Sequence, residues 1–305
     1  MIDSHDIVVT MTAIMTTMFA FLAGLCMIQT PSRSGKSSFY PCPITEPSKY
    51  SYEKFQTLYA PIWMGIFGCI VVFQLYEQWS AFEYNLYLLI LALPCLLQPI
   101  FVPSALCNSP DAKRSLKDRY ALKANVWLAV YSFIGNYWYT HYFYSVLKAS
   151  YSMPSTRLNN VPIAMFFATH FYFSSYHVFS NACLRKIKTS FAPNLKRRIL
   201  FISTVFVLSY FTAFMETLTI SSFPYYSFEE RNMAYKLGSA FYGIYFLVSF
   251  PAFLEFDREI DSLEKGARKV SVWDTVVESC GYGMIILCLL DFVRLCTGIP
   301  LIVGK

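Results

Sequence analysis

At 305 residues the chain is 55% hydrophobic and only 14% charged, against about 25% charged in an ordinary soluble domain. Water is the wrong solvent for such a composition, and apolar runs approaching the ~20 residues needed to cross hydrocarbon recur along the whole length, which excludes a soluble domain. The net charge of +6 raises nucleic acid or anionic lipid as partners, and the placement of the charges decides between them.

In chain order, the opening MIDSHD has two acids and no Lys or Arg, so the apolar run behind it lacks the basic flank of a secretory signal and reads as a retained first helix. Apolar runs bounded by charge, Pro and Ser predict helices near 7 to 28, 57 to 76, 84 to 103, 121 to 147, 160 to 183, 199 to 222, 237 to 254 and 273 to 296, each boundary soft by ~2 to 4 residues. The expectation is one integral membrane domain over residues 1 to 305, an all-α membrane protein built as a polytopic bundle of about eight transmembrane helices. Residues 31 to 49 hold four prolines and several serines, the composition of a poorly structured loop. Pro61, Pro94, Pro99, Pro103, Pro162 and Pro251 fall near helix ends or inside spans, where neighbouring groups must satisfy the freed carbonyls. Nine cysteines are scattered without CxxC or Cys/His ligand spacing, so they read as small apolar core residues rather than a disulfide or zinc framework.

Eight spans alternate the connections between two sides, and most of the 25 Lys and Arg fall on one of them. The first connection carries Arg33, Lys36, Lys49 and Lys54, the third Lys113, Arg114, Lys117 and Arg119 with Lys123 just beyond, the fifth six more from Arg185 to Arg198, and the seventh Arg258, Lys265, Arg268 and Lys269. By the positive-inside rule these connections face the cytosol and both termini face the lumen or exterior. The basic clusters are then topology determinants and headgroup contacts, which leaves nucleic-acid binding without support.

An ionisable side chain inside hydrocarbon costs about 2.5 to 3.5 kcal/mol on insertion scales, so each one is a candidate functional residue. His141 and Glu216 each lie about six residues from the same end of their predicted helices, ~9 Å below the surface at helical rise. His170 is near the middle of the fifth span, and His177 follows on about the same face. Asp291 and Arg294, three apart near the end of the last span, read as an ordinary ion pair. Polar aromatics are dense in YSFIGNYWYTHYFY from Tyr131, FYFSSYH from Phe171 and FPYYSF from Phe223. Most belong to an interfacial belt and packing, but the polar run Asn136 to His141 inside a span is poorly explained that way.

These strings also carry a resemblance. LKDRYALKANVW at 116 to 127, GNYWYTHYF at 135 to 143, LKASYSMPSTRLNNVP at 147 to 162, THFYFSSYHVFSN at 169 to 181, SYFTAFMETLTISSFPYYSF at 209 to 228 and FYGIYFLVSFP at 241 to 251 resemble, in order and content, the cycloeucalenol cycloisomerase family of cyclopropyl-sterol isomerases. The likeness covers roughly residues 50 to 295 and leaves out the first helix and the loop behind it. It implies an isomerase of the endoplasmic reticulum membrane, without a redox cofactor, that opens the 9,19-cyclopropane ring of a sterol such as cycloeucalenol to give the 8-ene sterol obtusifoliol.

That reaction needs a proton delivered to the methylene carbon, tolerance of a cation at the ring-fusion carbon, and removal of a proton from the neighbouring carbon. The acid, base and orienting candidates are His141, His170 and Glu216, and sequence does not order their roles. Apolar surroundings disfavour a carboxylate, so a buried Glu216 is a credible proton donor, and a histidinium beside a carboxylate is another. Tyr137, Trp138 and Tyr172 are candidate cation-facing aromatics. Asn136 and Asn160 are candidate orienting amides, and His177 a further lining residue. The alternative class is a sterol-binding or transport protein without turnover. A di-iron oxygenase needs His clusters that the three span histidines do not form. The tripeptide Asp118, Arg119, Tyr120 suggests a seven-helix receptor, but here it opens the fourth span, where Arg119 is expected among headgroups.

Overall fold

The computed structural model describes residues 4–33, 35, 37–104, 107–139, 149–221, 223–228 and 234–298. Among them are eight α-helices: α1 (Ser4–Met27), α2 (Pro47–Val72), α3 (Ala81–Phe101), α4 (Tyr120–Ile134), α5 (Ile163–Ser190), α6 (Leu195–Ser221), α7 (Ser239–Glu255) and α8 (Val272–Thr297). The protein is an all-α membrane protein, and six of these, all but α4 and α5, are long and apolar enough to cross a membrane.

The two exceptions have physical causes. The expected helix over 121 to 147 is α-helical only to Ile134 and then widens into a π turn over Gly135–Tyr139; its remainder, with His141, lies outside the described residues. α5 runs 28 residues, but its polar side chains face protein: His170, Ser174, Ser175, His177, Ser180, Asn181 and Arg185 are all buried. α5 packs against α2, α3, α4, α6 and α7, so it is the central helix and its low apolar content is what a helix shielded from lipid tolerates.

Local signals set several ends. Pro47 stands in the first turn of α2, where its missing N–H costs nothing. Ser80 with Glu83, and Ser271 with Asp274, form capping boxes that start α3 and α8. Gly298, at φ 68°, closes α8 in the left-handed region. Short antiparallel strands β1 (Ala149–Tyr151) and β4 (Tyr226–Phe228) pair, as do β2 (Arg157–Leu158) and β3 (Val161–Pro162).

Several expectations change at the basic end of the bundle, which carries the connections after α1, α3, α5 and α7. α2 begins ten residues before the expected 57, and the stretch 31 to 49 is held against the end of α5 through the Pro31–Phe191 bridge and Ser32 N–H donating to Ser190 O at 2.8 Å. Lys49, Lys123 and Arg185 are not among headgroups: each is buried. Arg185 pairs with Glu53 at 2.7 and 2.8 Å, Lys123 with Asp257, and Lys49 donates to Leu254 O. Arg119 does not reach outward either; it donates to the Pro99 and Ile100 carbonyls at 2.7 and 3.1 Å and caps the end of α3. All nine cysteines are free, but only Cys95 is buried, so most face the membrane or the loops rather than a core. Asp291 and Arg294 form the expected i, i+3 pair at 3.6 Å.

Candidate functional site: an aromatic chamber around one carboxyl

The end of the bundle opposite the basic connections is hollow. The last turns of α2 and α6, the first turns of α3 and α5, the π turn after α4, and α7 surround a chamber roofed by Tyr76 and Trp79 of the α2–α3 turn and by Tyr151 and Tyr226 of the β1–β4 pair. About 160 Å³ of it is open to water centres, on the order of ten times what one water needs. Its walls are dominated by Phe, Tyr, Trp and aliphatic side chains, Phe67, Tyr172, Phe173 and Phe223 among them. Ring faces and edges of this kind accept either a rigid hydrocarbon or a cation.

Glu216, on the penultimate turn of α6, is the one lining residue with a carboxyl among the described residues. Tyr242 of α7 lines the same chamber. Its Oε2 is closed to solvent and has no hydrogen-bond partner among the described residues. The flanking polar wall is modest. Asn136 donates to Ser132 O at 2.9 Å, and Thr169 Oγ1, 3.2 Å from Asn136 Oδ1, also reaches Met165 O.

Of the residues singled out in the sequence, Glu216, Asn136 and Tyr172 line this chamber. His170 sits behind the wall, next to the lining Thr169. The Asn125 amide nitrogen donates to Ala121 O, so Asn125 Oδ1 faces His170 Nε2 at 3.0 Å and the imidazole proton lies on Nε2. His170 Nδ1 is then a buried acceptor without a partner among the described residues. His177 is deeper and satisfied at both nitrogens: Nδ1–H donates to Phe173 O at 2.7 Å and Nε2 accepts from Ser249 Oγ at 2.9 Å. Rings of Trp127, Tyr131, Phe250 and Phe253 enclose it.

Tyr137 stacks on Phe133, Trp138 tilts against Tyr137 and is 47% exposed, and neither is among the lining residues. Asn160 and Asn159 occupy the tight β2–β3 hairpin at φ of 62° and 50°, the backbone region that Asn tolerates best after Gly. That turn accounts for Asn160 without a ligand. Tyr76, Tyr84, Tyr226 and Tyr242, which line the chamber, escaped the sequence reading; the FPYYSF run contains one of them, but nothing in a single sequence separates a lining tyrosine from a belt tyrosine.

No family model matches the chain, and no solved structure matches it. Among curated proteins it is similar to cycloeucalenol cycloisomerase of Arabidopsis thaliana, 40% identical over 264 residues that cover 85% of this chain and 91% of that protein.

Proposed function

Because the chain belongs to the cycloeucalenol cycloisomerase family, we propose that the chamber around Glu216 is where it opens the 9,19-cyclopropane ring of a cyclopropyl sterol such as cycloeucalenol, giving the 8-ene product. The chain is an isomerase of sterol biosynthesis. The observation that carries the siting is one carboxyl in a chamber walled mainly by hydrocarbon and aromatic rings.

In this reading Glu216 is the acid. Its O–H gives the proton to the methylene carbon, the electron pair of the cleaved ring bond becomes the new C–H bond, and positive charge develops at the ring-fusion carbon. The carboxylate left on Glu216 opposes that charge at close range in a dry site, where a fixed counter-charge acts far more strongly than in water. Tyr172 and its aromatic neighbours add cation–π attraction of about 0.5 to 2 kcal/mol per ring. The neighbouring C–H bond then supplies the electrons of the new double bond, and its proton goes to an imidazole, His141 or His170. His170 Nδ1 is a bare acceptor, but it lies behind the wall at Thr169, so His170 serves as the base only if that wall opens. Asn136 with Thr169 offers the single sterol hydroxyl a polar seat across the chamber, and His177 shores up the aromatic packing behind it. Tyr137 and Trp138 are candidates for contacts as the sterol enters.

Eight spans, with α4 and its continuation and the central α5 counted as crossings, put both termini on the lumenal side of an endoplasmic reticulum membrane; the basic connections on the cytosolic side support this. The test of the acid is Glu216→Gln in reconstituted protein, with folding and sterol binding checked separately. Turnover should fall by at least about a hundredfold, the lower range for losing a positioned acid, while binding persists. Full activity would remove Glu216 from the reaction.

A further inference from the structure

We propose that the chamber opens sideways into the bilayer along a furrow between α2 and α6, and that the sterol's aliphatic side chain lies in this furrow while its ring system is held inside. This rests on the reading of the chamber as the sterol site. The floor of the furrow is one stripe of α5. Met165, Thr169 and Tyr172 of that helix line the chamber, and positions four, seven and eleven beyond Tyr172 continue the same helical face. There Tyr176 is half-buried, Phe179 is 37% exposed and Cys183 is exposed, while every other residue from Phe173 to Leu184 except Ala182 is buried. α2 and α6 form the banks. Each packs on α5, and each lines the chamber, through Phe67, Ile70 and Val71 on one side and Glu216, Thr217 and Thr219 on the other. Among the described residues they do not pack on one another, and α1, which leans on α6, does not reach across to α2. Trp63 and Phe67 fix the α2 bank against the Tyr172 ring at 4.5 and 5.9 Å, and Thr219 is exposed on the α6 bank. Toward water the chamber is roofed by ring pairs instead, Tyr76 with Phe223 at 4.7 Å and Tyr151 with Tyr226 at 4.5 Å.

This geometry suits an amphipath that already lives in the membrane. In a bilayer a sterol keeps its hydroxyl at the interface and its hydrocarbon tail toward the midplane. The chamber lies at one end of the bundle and the furrow runs inward from it, ~16 Å along α5 from Tyr172 to Cys183 at helical rise, so the sterol passes from lipid to site without turning over. The banks carry no charge along this length: none falls between Lys54 and Glu77 on the α2 side or between Arg198 and Glu216 on α6. A tail that moves from lipid into such a furrow exchanges one hydrocarbon surrounding for another and gains or loses little. Selectivity then falls on the enclosed rings, and changes at the tail's end are tolerated.

The test is photolabelling of the reconstituted wild-type protein by a cyclopropyl sterol with a diazirine at the end of its side chain, mapped by peptide mass spectrometry, beside turnover of this probe and of its unmodified parent. The label should fall on the α5 stripe at Tyr176, Phe179 or Cys183. Excess parent sterol should cut that labelling at least about fivefold, and kcat/KM of the probe should stay within about threefold of the parent's, because its tail is not enclosed. Label on the roof rings Tyr76 or Tyr226, label on lipid alone, stripe labelling that excess parent does not compete, or a larger loss of kcat/KM overturns the furrow, while turnover of the parent leaves the reading of the chamber standing. If the parent itself is not turned over, that reading falls and the furrow with it.

Discussion

Two carboxyls of the bundle, the buried Glu53 and the half-buried Glu216, sit near its opposite ends and are handled in opposite ways. Glu53 is inaccessible to solvent, and both of its oxygens are engaged, by Arg185 at 2.7 and 2.8 Å and by the Asn181 amide at 2.9 Å. That is a fully compensated ion, useful for holding α2 to α5 and useless as an acid. Removing one member of such a pair costs about 3 to 5 kcal/mol because the other charge is stranded. Glu53→Gln should therefore lower the thermal midpoint sharply in detergent, while the molecules that remain folded turn over sterol near the wild-type rate. A variant as stable as wild type would mean Arg185 finds another anion. Glu216 was legible in the sequence because a lone carboxyl in an apolar run stands out against its insertion cost. Glu53 was not, because it lies in SKYSYEKFQ, a polar stretch that hydropathy assigns to a loop and that is helical only because its polar atoms find partners inside the protein.

At the scale of elements, the same cause separates what the sequence showed from what it concealed. Helices that face lipid on most of their surface, α1, α3, α6 and α8, were predicted to within a few residues because the bilayer imposes their length and apolarity, and so was α7, which is mostly buried but apolar throughout. α2 begins ten residues before its expected start and α5 runs seven residues past its expected end because protein, not lipid, surrounds those segments. α4 shows how. It has no capping side chain at Arg119, the residue before its first turn. Its first two N–H groups, of Tyr120 and Ala121, instead donate to the two oxygens of Asp111 at 3.0 Å each, from a 3-10 turn nine residues upstream. Asp111 is itself pinned by Arg114 at 3.0 Å. A cap supplied from that distance has no local sequence signature. Asp111→Ala strips both acceptors, while Arg114 keeps Asp261 at 3.0 Å as its counter-ion, so it should cost about 1 to 3 kcal/mol. The thermal midpoint would report the loss, and protease nicking of the 102 to 119 connection would locate it. An unchanged midpoint would show that water replaces the cap at no cost.

The bundle is accordingly asymmetric: a hollow aromatic end, where we place the chemistry, and a solid, charge-stitched end that keeps α2, α4, α5 and α7 in register. Asp257, in the connection after α7, lies within that second end, 7% exposed and paired with Lys123 of α4. Burial pushes its carboxyl up from 3.8 to about 6, against the pull of Lys123 and Arg114 and with a small push from Asp261. The sign of the linkage follows. Below 3.8 the group is protonated whether the chain is folded or not. Between 3.8 and about 6 the folded protein keeps a proton that the unfolded chain has released, so this group's contribution to stability declines as the pH rises, by on the order of 3 kcal/mol across the window. Asp257→Asn has no proton to release. Whatever constant cost it imposes by leaving Lys123 without its anion, its stability deficit relative to wild type should narrow as the pH goes from about 4 to 6 and stay level from there to 7. Paired thermal midpoints in detergent at those pH values measure this directly, and a deficit that is flat, or that widens with pH, would mean that the Lys123 charge rather than burial governs Asp257.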